Sequence, residues 1–143
     1  VFDGTRRLEE LTSPSASAEV TAGEHRFRIV SEEVFLDRPL DRVRLKPDQV
    51  YSIALPGTGS AYIEVPNDAY DGCEMLLNGR RLPPPYPAQI QRLTAGEHRL
   101  TFRWASGKYA GREFTSTFTI EANRHHLITG YPHLEKASVQ QVR

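Results

Sequence analysis

The sequence predicts an all-β protein: two tandem small β-sandwich modules of about 75 residues each. Three observations carry this reading. The hexapeptide Thr-Ala-Gly-Glu-His-Arg occurs at 21–26 and again at 94–99. After each copy, residues alternate in character. His25, Phe27 and Ile29 oppose Arg26 and Arg28; His98, Leu100, Phe102 and Trp104 oppose Arg99, Thr101 and Arg103. That period of two is the pattern of strands with one buried face. Turn dipeptides recur between the runs, at Asp3-Gly4, Ala22-Gly23, Pro56-Gly57, Asn78-Gly79, Ala95-Gly96 and Ser106-Gly107. Several short strands at close spacing, with no helical stripe, point to small sandwiches.

The two copies align along most of the chain. Val1–Leu8 matches Leu76–Leu82, with an offset of 75 at Gly4 and Gly79. The offset is 73 at the hexapeptide and 75 again where Val43-Arg44-Leu45-Lys46 lies over Phe118-Thr119-Ile120-Glu121. Asp48 then falls on Asn123 and Ile53 on Ile128. A longer 5–20 loop in the first copy and a longer 105–108 turn in the second absorb the difference, since repeated modules change length at turns. The 5–12 segment forms one helical turn at most. Phe114, Phe118 and Ile120, and then Leu127 beyond the Asn123 turn, predict two more strands.

The expected organisation has three parts. Residues 1–57 form a repeat lacking its first strand and most of its second. Residues 58–133 form a complete repeat, and Gly57-Thr58-Gly59-Ser60 is a short linker between them. Residues 134–143 are a spare tail. It is either the first strand of a following repeat or a donor strand that completes the open sandwich of a neighbouring copy. Ala137 and Val139 lie over Ala61 and Ile63, and with Val142 they make the candidate assembly strand.

Composition excludes some function classes. Lys and Arg number 18 and Asp and Glu number 18, so the chain lacks the basic excess of a general nucleic-acid binder. Hydrophobic content of 38% suits a small-cored globular protein. Cys73 is the only cysteine, which rules out an internal disulfide and a zinc site built from several thiolates. No secretory signal and no membrane span are visible, and direct membrane insertion by this segment is not expected. The chain starts at Val1 without Met, so it reads as a piece of a longer protein.

Candidate sites each carry a plain reading beside a sharper one. Gly23 and His25, and Gly96 and His98, sit in the hexapeptide. They read as a structural turn, because catalysis by either histidine would need a companion group and no companion motif recurs in both copies. Arg124-His125-His126, with His133 nearby, is the only histidine cluster and hence the candidate metal set. Neighbours on a strand face opposite ways, so a polar turn or strand edge is the plainer reading, and no cofactor is expected. Pro83–Pro87 reads as a stiff polyproline connection. Cys73, in step with Met75 and Leu77, reads as a core residue. Arg26, Arg28, Arg99 and Arg103 form an outward basic stripe to which acidic polysaccharide is a conceivable partner.

Residues 61–79 run Ala-Tyr-Ile-Glu-Val-Pro, a loop, then Gly-Cys-Glu-Met-Leu-Leu-Asn-Gly. A proline step at 83–87 follows, then Leu93-Thr-Ala-Gly-Glu-His-Arg-Leu and a Gly-Lys-Tyr turn at 107–109. This order resembles the PEGA domain family over residues 61–129, and over 1–55 in truncated form. The departures are Gly72-Cys73 in place of Gly-Ala and a longer preceding loop. The resemblance implies a small Ig/transthyretin-like sandwich, used in tandem by bacterial surface or extracytoplasmic proteins, and no enzymatic activity. The expected function is therefore a surface spacer, stalk or self-assembling fibre element whose partners are copies of itself or flanking repeats. The alternatives are a ligand-binding or sensory ectodomain of a membrane-anchored protein and an accessory carbohydrate-binding module. For the last, Tyr62, Tyr70, Tyr86 and Tyr131 would form an exposed platform.

Overall fold

Alternating side chains dictate the strands, and the computed structural model describes them at residues 1–4, 6–7 and 19–142. Arg6–Arg7, within the expected turn at 5–12, form a short strand instead, and the rest of that turn and most of the 5–20 loop lie outside the described residues. Within them the secondary structure is all strand, apart from one short 3-10 turn at Asn67–Ala69. The chain divides into two compact units, Val1–Leu55 and Pro56–Arg143.

The first unit holds β1 (Phe2–Asp3), β2 (Arg6–Arg7), β3 (Gly23–His25), β4 (Phe27–Ser31), β5 (Leu36–Pro39) and β6 (Val43–Leu45). One sheet runs β2-β1-β4-β5, and β3 pairs with β6. His25, Phe27 and Ile29 are buried, with Leu36 and Leu45, while Arg26 and Arg28 are exposed, the expected split of a half-buried strand.

The second unit holds β7 (Thr58–Glu64), β8 (Cys73–Leu77), β9 (Arg80–Arg81), β10 (Ala88–Thr94), β11 (Gly96–Trp104), β12 (Glu113–Ile120), β13 (His125–Tyr131) and β14 (Lys136–Val142). These make two four-stranded sheets, β10-β7-β13-β14 and β12-β11-β8-β9. All pairings are antiparallel except β7 with β13. Ala61, Ile63, Leu93 and Ile128 on one sheet and Met75, Leu77, Leu100, Phe102, Trp104 and Ile120 on the other are almost completely buried. Each large side chain among them contributes about 1.5–3 kcal/mol by leaving water. Gly130 lets the sheets meet closely: a Cβ there would stand 2.6 Å from the Phe102 ring.

The repeat is visible as strand register. Gly23, Glu24 and His25 pair with Leu45, Arg44 and Val43. Gly96, Glu97 and His98 pair in the same order with Ile120, Thr119 and Phe118. The next turn also matches: Asp48 and Asn123 take φ of 63° and 61°. The amides of Gln49 and Arg124 donate to the carbonyls of Lys46 and Glu121.

Two expectations need correction. Gly57–Ser60 is not a linker, because Thr58–Ser60 opens β7 and Gly59 is buried. A Cβ on Gly59 would lie 2.5 Å from the Glu121 carbonyl oxygen, so glycine is required by close backbone approach and not by flexibility. The 134–143 tail is not spare either. Residues Lys136–Val142 pair with β13 along its whole length, through a tight turn closed by the Leu134 amide on the Tyr131 carbonyl. A hairpin costs little loop entropy and covers a β13 edge that would otherwise be open. Ala137, Val139 and Val142 are thus residues of an edge strand, and the second unit runs past the expected limit at 133.

Candidate functional site

The two hexapeptides build the same hydrogen-bonded joint. Gly23 and Gly96 take φ of 127° and 124°, a conformation that side chains rarely adopt, and so turn the chain sharply into β3 and β11. The histidine two residues on points inward. In the second unit, His98 Nε2 donates to the Thr94 carbonyl at 2.6 Å. Its Nδ1 accepts from Asn78 Nδ2 at 2.9 Å, while Asn78 Oδ1 accepts from the Arg99 amide at 2.9 Å. That amide contact fixes the orientation of Asn78, and the pattern is that of a neutral imidazole with its proton on Nε2. The ring stacks on Phe118 at 5.8 Å.

The first unit repeats this wiring with one change of chemistry. His25 Nε2 meets the Thr21 carbonyl at 2.5 Å, and Nδ1 meets the Asp3 carboxylate. The Thr21 carbonyl and an ionised Asp3 both accept, so the joint favours the imidazolium, in which both ring nitrogens donate; the ring stacks on Phe27 at 5.5 Å. The Thr21 carbonyl and then the Asp3 carboxylate raise the His25 pKa above the ordinary value of 6.5, against the opposing effect of burial. Asp3 and Asn78 were missed as histidine partners from sequence. Their signal was present, since both stand before the turn glycines Gly4 and Gly79 that match at the repeat offset. The glutamates of the hexapeptides face solvent, and Glu24 meets the Arg42 guanidinium at 3.4 Å.

The sign of the pH effect follows from the raised value. Stability from the His25–Asp3 joint is fully present below pH about 6.5 and is lost as pH rises through the folded-state pKa. Asp3→Asn should convert this joint to the neutral form found at Asn78 and His98. We expect unfolding of the first unit, followed by urea titration between pH 6 and 9, to show a shallower alkaline slope in Asp3→Asn, because the Thr21 carbonyl contact remains. Comparing the two proteins cancels every pH effect they share.

The remaining candidates are dispersed. His125 and His126 face opposite sides of β13. His125 Nδ1 lies 2.6 Å from Ser60 Oγ. His126 is 1% exposed, which corrects the expected polar turn or strand edge, because β13 is a central strand. Its burial is tolerated because both nitrogens are used: Nδ1 donates to the Ser60 carbonyl at 3.1 Å, and Nε2 accepts from the Glu121 amide at 3.2 Å. His133 packs on Tyr109 at 5.5 Å. Among the described residues no group of three or more His, Cys, Asp or Glu side chains converges as a metal site would need. Burial pushes the Cys73 thiol up to about 12, so it is not a nucleophile near neutral pH.

The basic stripe is partly neutralised. Arg28 forks onto Asp37 at 2.7 and 2.9 Å. Arg103 holds Glu74 at 2.6 Å and keeps that carboxyl below its usual range. Pro83–Pro87 joins β9 to β10, with cis bonds at Pro84–Pro85 and Tyr86–Pro87. Tyr86 is half-buried, its hydroxyl donating to the Leu82 carbonyl at 2.6 Å; Tyr62, Tyr70 and Tyr131 are also half-buried. Among the described residues no helix is long and apolar enough to cross a membrane. Comparison of the chain with protein-family models, curated proteins and solved structures finds no match.

Proposed function

We propose that this chain is a non-enzymatic, extracytoplasmic structural element, a surface spacer, stalk or fibre segment built from repeated β-sandwich units. The observation that carries the reading is the twice-built joint. In both units the histidine that looks most like a site residue spends both ring nitrogens on its own chain. A group so committed holds a turn and leaves nothing to offer a substrate. The order of motifs resembling PEGA domains supports the extracytoplasmic, bacterial placement. Repetition supports the mechanical role, since stability in repeated units accrues copy by copy.

Antibodies raised against residues 56–143 test this reading on the producing cells. They should label intact cells, and external protease should remove the signal. Labelling only after permeabilisation would overturn the extracytoplasmic placement. Saturable binding of a sugar or small molecule to the full chain would replace the spacer by a binding module.

A further inference from the structure

The exposed large apolar side chains among the described residues fall into two short segments. Val50, Tyr51 and Leu55 are 86%, 41% and 63% exposed; Leu134, Val139 and Val142 are 57%, 43% and 43% exposed. The repeat relates these segments. The copies share strand register through β6 and β12, and they share the turn at Asp48 and Asn123. Residues 50–55 therefore hold the sequence position of β13. In the second unit that position is a central strand, with β14 as its antiparallel neighbour. In the first unit the segment joins no sheet among the described residues. Tyr51 lies over Phe27 at 5.8 Å, which places one face of the segment on the core.

We propose that residues 50–55 accept the free edge of β14 from a second copy of this chain. The inference rests on the structural-element reading above and names its partner. Parity and apolar matching across the free edge of β14 set the register: in an antiparallel pairing with the core faces on one side of the sheet, Val50 faces Val142, Ile53 faces Val139 and Leu55 faces Ala137. Each pair joins apolar side chains, and the period of two puts Tyr51, Ile53 and Leu55 on the core face beside Val139 and Ala137. β14 keeps its own hairpin, because an edge strand has a second row of free donors and acceptors. Another strand added there extends the sheet from one molecule into the next. Donor and acceptor are different segments of the chain, so the contact is heterologous and propagates into a filament unless it closes into a ring.

The test uses the full chain, residue-specific cross-linking and sedimentation. Two preparations, Val50→Cys and Val142→Cys, are mixed and oxidised gently. The proposal expects mixed disulfide dimers from this pair and few from Val50→Cys with Gln140→Cys, which is displaced from Val50 along β14. Sedimentation velocity should show concentration-dependent association, weakened about tenfold or more by Val142→Lys and by Val50→Lys alone. Both sites are exposed, so these variants are expected to fold, and circular dichroism checks it. A chain that stays monomeric at every concentration and does not cross-link overturns the proposal. So does association that neither lysine variant weakens. A longer natural chain that remains monomeric while the amides of 50–55 resist hydrogen exchange would give the position to a strand in cis, which also overturns it. Surface labelling is independent of all these outcomes, so the proposal can fail while the structural-element reading stands.

Discussion

Trp104→Ala should destabilise the second unit by about 3–5 kcal/mol, the range for removing a large aromatic from a packed core. Trp104 is 1% exposed at the end of β11. Its ring lies 6.3 Å from Phe102 and 6.1 Å from both Phe114 and Tyr109. Its Nε1 donates to the Ala69 carbonyl at 2.7 Å, tying the 67–69 turn to the core. Alanine removes the ring contacts and also leaves that carbonyl without its donor, a further cost of about 1 kcal/mol. A domain of this size is stable by only about 5–15 kcal/mol, so much of its margin would go. Trp104→Phe separates the two effects, because it keeps most of the ring volume and loses the indole N–H. Urea unfolding followed by far-ultraviolet circular dichroism measures both variants. A loss below about 1 kcal/mol in Trp104→Ala would mean the ring does not anchor the core.

The second large effect is at Gly72. Its φ of +73° is left-handed, and a Cβ there would stand 2.3 Å from the Ser106 carbonyl oxygen. Gly107 answers from the other side, with φ +79° and a Cβ position 2.7 Å from the Asp71 carbonyl oxygen. The Ala105 amide donates to the Gly72 carbonyl at 3.0 Å, so two glycine turns interlock where β8 starts and β11 ends. Gly72→Ala would take a conformation costing roughly 1–2 kcal/mol for an L-residue. It would also push two backbones apart, adding about 1–3 kcal/mol. Gly79 provides the control. Its φ is +82°, but nothing lies within 4 Å of its Cβ position. Gly79→Ala should therefore show the conformational cost alone. Equal losses at the two glycines would show that the turns do not interlock.

How far the sequence revealed this structure depends on the kind of contact. Strand alternation was legible in Phe27, Ile29, Leu100, Phe102 and Trp104 because burial on one face of a strand imposes a local period. β13 was harder to read. Its buried residues are His126, Ile128 and Gly130, while the more apolar-looking Leu127 is only half-buried. A histidine goes inward there because Ser60 and Glu121, distant in sequence or across a turn, satisfy both its nitrogens. Gly59 misled for a related reason, since a glycine chosen for close approach looks the same in sequence as one chosen for flexibility. The tail misled because the first copy offered no counterpart of β14 to compare. The joint itself was half visible. The hexapeptide announced the turn, but Asp3 and Asn78 complete it from another strand end.

One measurement tests directly whether the hexapeptide is a joint built twice, once charged and once neutral. Nitrogen-15 chemical shifts of the histidine rings of the full chain, recorded near pH 7, report which ring nitrogens carry protons. The structure predicts that His25 keeps both ring protons to higher pH than an ordinary imidazole, and that His98 carries its proton on Nε2 beside a bare Nδ1. Asp3→Asn should give His25 the His98 pattern. Two freely exchanging, solvent-like imidazoles with the same averaged shifts would contradict the joint and return both histidines to the list of candidate site residues.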